Sequence, residues 1–90
     1  MAENSVSVRG KISNVAPDTT CTVKLLTDRG RLAADMTTTP EFQKQFVVEG
    51  GHSKYYVDVA CAGQPGRFRS TTYQLTATNK VIDLGTVVLK

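Results

Sequence analysis

The chain has 90 residues, enough for one folded domain and too few for two, since a domain ordinarily takes roughly 100–200 residues. Hydrophobic residues make up 40% and charged residues 21%, with only 7 Gly and 3 Pro, which excludes a disordered or low-complexity chain. The net charge is +3, but basic residues from Arg9 to Lys90 are interspersed with carboxylates from Glu3 to Asp83, so no basic block tracks a phosphate backbone and a nucleic-acid partner is not indicated.

No apolar run approaches the roughly 18 residues that a membrane-crossing helix needs. Met1 to Ser5 carries neither a basic stretch nor an apolar core, so it does not read as a signal peptide, and residues 1–4 are expected to form a disordered tail. Val6, Val8 and Ile12 then alternate with Ser5, Ser7, Arg9 and Lys11, the period of two that predicts a half-buried first strand over 5–12, with Gly10 as a candidate bulge. Asn14 to Thr19, with its Pro17-Asp18 pair, is a turn by composition. In the second strand Cys21, Val23 and Leu25 face one way and Thr20, Thr22 and Lys24 the other; Asp28-Arg29-Gly30 turns the chain into a short third strand over Leu32 to Thr37.

Thr38-Thr39-Pro40-Glu41 has the form of a helix start, a threonine cap ahead of a proline. Yet only Phe42 and Phe46 are spaced for a helix face, and the β-branched Val47-Val48 follows, so a fourth strand over 42–49 is expected, ended by Gly50-Gly51. Tyr55, Val57, Val59 and Cys61 form the cleanest alternation, opposite Tyr56, Asp58 and Ala60, and predict a central fifth strand. The turn Gly63-Gln64-Pro65-Gly66 leads into a sixth strand from Arg67 to Tyr73. In the last strand, Val81 to Leu89, the apolar parity changes from Ile82 and Leu84 to Val87 and Leu89 at Gly85, which predicts a glycine bulge. Seven short strands and no long helix predict an all-β fold, a seven-stranded antiparallel Greek-key sandwich filling residues 1–90 as a single domain.

The succession Val8-Arg9-Gly10-Lys11-Ile12, Cys21-Thr22-Val23-Lys24-Leu25, Thr37 to Phe46, Tyr55-Tyr56-Val57-Asp58-Val59 and Asp83-Leu84-Gly85-Thr86-Val87-Val88-Leu89 resembles the prealbumin-like (transthyretin-like, carboxypeptidase-regulatory-like) β-sandwich family, over nearly the whole chain. The resemblance implies a seven- or eight-stranded sandwich in which the second and fifth strands are antiparallel neighbours. Cys21, opening the one, and Cys61, closing the other, would then meet at the same end of the sheet, both on the apolar face. Two readings follow: a disulfide closing a loop of about 40 residues, worth roughly 4 kcal/mol by chain entropy, or two buried free thiols. A bridge implies an oxidising compartment, hence a secreted or periplasmic domain, whereas free thiols place it in the cytoplasm.

An enzyme needs a poised acid, base, nucleophile or metal, and the inventory is thin. His52 is the only histidine and lies in a glycine-rich turn, so no histidine-ligated zinc site can form and a triad would have to be built around this one residue. The hydrolases related to transthyretin carry several histidines and a C-terminal Tyr-Arg-Gly-Ser signature, neither of which is here, so that activity does not carry over. Asp18, Asp28 and Asp35 are too dispersed for a calcium loop, and Gly50-Gly51 is not followed by a phosphate-binding Lys-Thr. Asn4, Asn14 and Asn79 do not begin glycosylation sequons. No cofactor is expected.

Surface recognition is what remains. Arg67 and Arg69 share one strand face, with Tyr73 in the same parity, and Arg29 and Arg31 could join them in a basic and aromatic patch; the plain alternative is an outer strand whose charges discourage aggregation. Tyr56 lies opposite the core parity, either singly exposed or part of a partner-binding face on the central strand. Tyr56, Arg67, Arg69 and Tyr73 are therefore the candidate partner-binding residues. Members of the family often serve as secreted or cell-surface modules, which implies a non-enzymatic interaction module for a protein partner. The alternative is a transthyretin-like carrier of a small hydrophobic ligand at a subunit interface.

Overall fold

The apolar and polar alternation of the sequence becomes the inner and outer faces of two sheets. The computed structural model describes residues 3–49, 54–76 and 80–90. They form eight strands: β1 (Glu3–Ile12), β2 (Cys21–Thr27), β3 (Leu32–Thr38), β4 (Glu41–Glu49), β5 (Lys54–Cys61), β6 (Arg67–Arg69), β7 (Tyr73–Gln74) and β8 (Val81–Val87). The first sheet has the order β4-β1-β8 and the second β3-β2-β5-β6, with β7 also paired to β5. Every second residue of β2 and β5 is buried, as the period of two demands. Val6, Val8, Phe46 and Ile82 from the first sheet meet Val23, Leu25, Val57 and Val59 from the second in one core, so the sheets pack face to face as a sandwich. Among the described residues no helix is long and apolar enough to cross a membrane.

The architecture departs from the expected seven antiparallel strands in two ways. β1 is antiparallel to β4 but parallel to β8, so the first sheet is mixed. The segment expected as one strand from Arg67 to Tyr73 is broken into β6 and β7. Between the pairs Asp58↔Arg69 and Tyr55↔Tyr73, β5 advances three residues and its partner four. The extra residue is a bulge, seated by Ser70: its N–H donates to the Val57 carbonyl at 2.9 Å and its Oγ accepts the Val57 N–H at 2.8 Å. At the N-terminus Glu3 and Asn4 belong to β1, paired with Glu49 and Val48, rather than to a tail; Met1 and Ala2 lie outside the described residues.

Other expectations hold. The glycine bulge is at Gly85: Arg9 pairs with Asp83 and Lys11 with Thr86, so β8 carries one residue more than β1 across this step. Gly85 has φ 63°, a left-handed conformation that costs glycine little, and its N–H donates to Asp83 Oδ1 at 2.9 Å. The helix-like Thr38 to Glu41 start is a corner instead, where the chain leaves β3 in one sheet for β4 in the other. Pro40 is buried there and its carbonyl accepts the Ile12 N–H at 2.8 Å.

The stretch after β8 ties the sheets together. Lys90 returns to the second sheet, where Arg67 N–H donates to the Lys90 carbonyl at 3.0 Å and Lys90 N–H to the Arg67 carbonyl at 3.1 Å. Gly66 makes this approach possible, because a Cβ there would stand 2.7 Å from the Lys90 nitrogen.

Candidate functional site

The outward face of the second sheet is assembled by register. Pairing across β3, β2, β5 and β6 lines up Asp35, Lys24, Asp58 and Arg69, a rung of alternating charge, since residues directly opposite on neighbouring strands share a face. One rung away stand Leu32, Leu26 and Tyr56; on the other side stand Thr37, Thr22, Ala60 and Arg67. All of them keep contact with solvent, and Leu32 is 51% exposed.

Arg69 is the organising residue. Its Nε donates to Asp58 Oδ1 at 3.0 Å and its Nη2 to Oδ2 at 3.3 Å, the two-pronged geometry that a planar guanidinium offers a carboxylate. The same guanidinium lies 5.2 Å from the centre of the Tyr56 ring, within cation–π range. The hydrogen bond from Arg69 to Asp58, then the Asp58 charge, then Tyr56, hold the Arg69 pKa above its ordinary value. The Asp58 side chain keeps only 13% of its exposure, against 69% for Arg69, so the carboxylate is sunk into the sheet beneath the guanidinium. The turn bearing Arg29 and Arg31 borders the same ring, for a Cβ at Gly30 would lie 3.6 Å from the Tyr56 hydroxyl.

Of the residues singled out from sequence, Tyr56 and Arg69 are in contact, and Arg67 lies on the same face two residues along β6. Tyr73 is elsewhere. The bulge after Arg69 reverses its parity, so it pairs with Tyr55 and packs against the core. Asp58, Leu26 and Leu32 were not singled out. Asp58 shares the outward parity of Tyr56 and was legible to that extent, but its pairing with Arg69 depends on the β5–β6 register.

Cys21 and Cys61 are register partners at one end of the sheet, with sulfurs 2.04 Å apart, a disulfide distance. Both are buried, and the ladder continues past them through Ala62 N–H donating to the Thr20 carbonyl at 2.8 Å. Burial raises the pKa of Tyr55, the inward neighbour of Tyr56, by penalising its charged form. His52 lies outside the described residues, and among those described no three His, Cys, Asp or Glu side chains are grouped so as to hold a metal ion.

The first sheet carries an open cavity of about 500 Å³ beside Arg9, Lys11, Glu41 and Asp83. Its charges answer one another: Arg9 is 3.1 Å from Asp83, and Lys11 and Glu41 are register partners. No protein-family model matches the chain, and no curated protein and no solved structure matches it.

Proposed function

We propose that the chain is a non-enzymatic recognition module of prealbumin-like architecture, working in a secreted or periplasmic setting, that binds a protein partner through the outward face of its second sheet. The observation that carries this reading is the preset group on that face, with Arg69 clamped by Asp58 and laid against Tyr56, and the exposed Leu32 two strands away on the Tyr56 rung. Tyrosine and arginine dominate interface energetics because they bring large contact area and several donors, and side chains already held in place lose little entropy on binding. The antiparallel pairing of β2 with β5 supports the architecture, and the Cys21–Cys61 pair supports the oxidising setting.

The test is comparative affinity capture from extracellular or periplasmic extract, using the wild type and a Tyr56→Ser, Leu32→Asp variant shown to fold. A protein retained by the wild type and weakened by about tenfold or more in the variant is expected, two interface anchors being removed. Equal retention of the same proteins by both would overturn the reading. The carrier alternative requires an oligomer, so sedimentation equilibrium separates the two: a monomer removes the carrier, whereas a dimer or tetramer that takes up an apolar ligand replaces the module with it.

A further inference from the structure

A second cavity, of about 370 Å³, lies at the seam between the sheets, where β6 meets the stretch that follows β8. It is lined by Arg67, Phe68, Arg69, Thr86, Val88 and Lys90. Its side-chain chemistry is one-sided: three cations, one hydroxyl and two apolar groups, with no acidic side chain in the lining. In the cavity on the first sheet acids are part of the lining: Arg9 is ion-paired with Asp83, and Lys11 stands opposite Glu41 in the β1–β4 register. Arg69 is committed to Asp58, but among the described residues no carboxylate lies within ion-pair distance of Arg67 or Lys90. Two positive charges therefore flank an opening whose apolar surface includes Val88, 44% exposed, and the half-buried Phe68.

The frame is rigid where the ligand would sit. The reciprocal hydrogen bonds between Arg67 and Lys90, at 3.0 and 3.1 Å, fix the backbones that carry the two charges. Val59↔Phe68 and Ala60↔Arg67 fix the strand beneath them. A guanidinium and an ammonium held on opposed backbones recognise an anion, and apolar surface next to them favours an anion that carries a hydrophobic body.

We propose that this cavity binds small organic carboxylates with an aryl or short alkyl body, the carboxylate between Arg67 and Lys90 and the body against Phe68 and Val88. The site borders the Tyr56 face and shares Arg67 and Arg69 with it, but the binding of a small carboxylate does not depend on the protein-partner reading.

The test is a titration of the isotopically labelled chain with 4-phenylbutyrate, followed by amide NMR shifts, beside 4-phenylbutan-1-ol and inorganic phosphate. Saturable shifts at residues 67–69 and 86–90 are expected with the carboxylate at millimolar concentration, while the alcohol and phosphate each bind at least roughly fivefold more weakly, because each supplies half of the recognition. Arg67→Gln and Lys90→Gln, both at exposed positions, should each weaken binding by about threefold and together by roughly tenfold. Val88→Thr, which keeps the β-branched shape, should weaken phenylbutyrate and leave phosphate unchanged. Shifts scattered over the surface, equal binding of the alcohol, or undiminished affinity in the Arg67→Gln, Lys90→Gln double variant would overturn the assignment.

Discussion

Tyr55 and Tyr56 are neighbours in sequence and opposites in chemistry, because successive residues of a strand point to opposite faces. Tyr55 is 2% exposed in the core and Tyr56 stands outward against Arg69. Burial raises the Tyr55 pKa above its ordinary 10.0. The unfolded chain therefore loses this proton at lower pH than the folded one, and above that point the folded state binds more protons. The stability tied to the neutral phenol is fully present below pH 10 and is lost as pH rises through the folded value. Urea midpoints of the wild type should thus fall beyond pH 10, and more steeply than those of Tyr55→Phe; parallel curves for the two proteins would show that Tyr55 contributes nothing to the alkaline limb. The facing of both tyrosines was legible in the sequence, since the alternation from Tyr55 to Cys61 has no interruption. The Arg69–Asp58 contact was not, because the residues are eleven apart and meet only through the register of a three-residue strand.

At the scale of elements, the two bulges show what makes an irregularity readable. The one in β8 is marked twice, by a glycine and by a change in apolar parity between Leu84 and Val87. The one after β6 falls among Ser70, Thr71 and Thr72, which carry no apolar residue to reveal a shift, so parity counted from Arg69 puts Tyr73 on the wrong face. Loss of the ladder there is made good by the Ser70 hydroxyl, a local bond that serine also makes in many ordinary turns. Two glycine substitutions separate backbone conformation from crowding. At Gly85, with φ 63° and nothing within 4 Å of a new Cβ, alanine should cost about 1 kcal/mol through the left-handed conformation alone. At Gly66 the new carbon would meet Lys90 backbone at 2.7 Å, so alanine should cost roughly 1–3 kcal/mol and part the Arg67–Lys90 bridge. Hydrogen exchange distinguishes them: the Arg67 and Lys90 amides should lose protection in Gly66→Ala and keep it in Gly85→Ala.

For the molecule as a whole, short length sets the terms. A radius of gyration of 12.7 Å is close to the roughly 12 Å expected of a folded chain this long, and a domain of this size has only about 5–13 kcal/mol of stability. The Cys21–Cys61 link spans a sequence separation of 40, which gives roughly 4 kcal/mol of chain-entropy stabilisation, a large share of that total. Leu25 is fully buried four residues along the same strand, and its replacement by alanine should cost about 2–5 kcal/mol. The two perturbations act on different states, one widening the unfolded ensemble and the other emptying part of the core, so their costs should add approximately. Leu25→Ala should therefore fold while oxidised, the wild type should fold while reduced with a lowered urea midpoint, and reduced Leu25→Ala should lose its dispersed amide spectrum. A cooperative urea transition in reduced Leu25→Ala, with a midpoint near that of the oxidised variant, would mean that the link between β2 and β5 adds little to the stability of the fold.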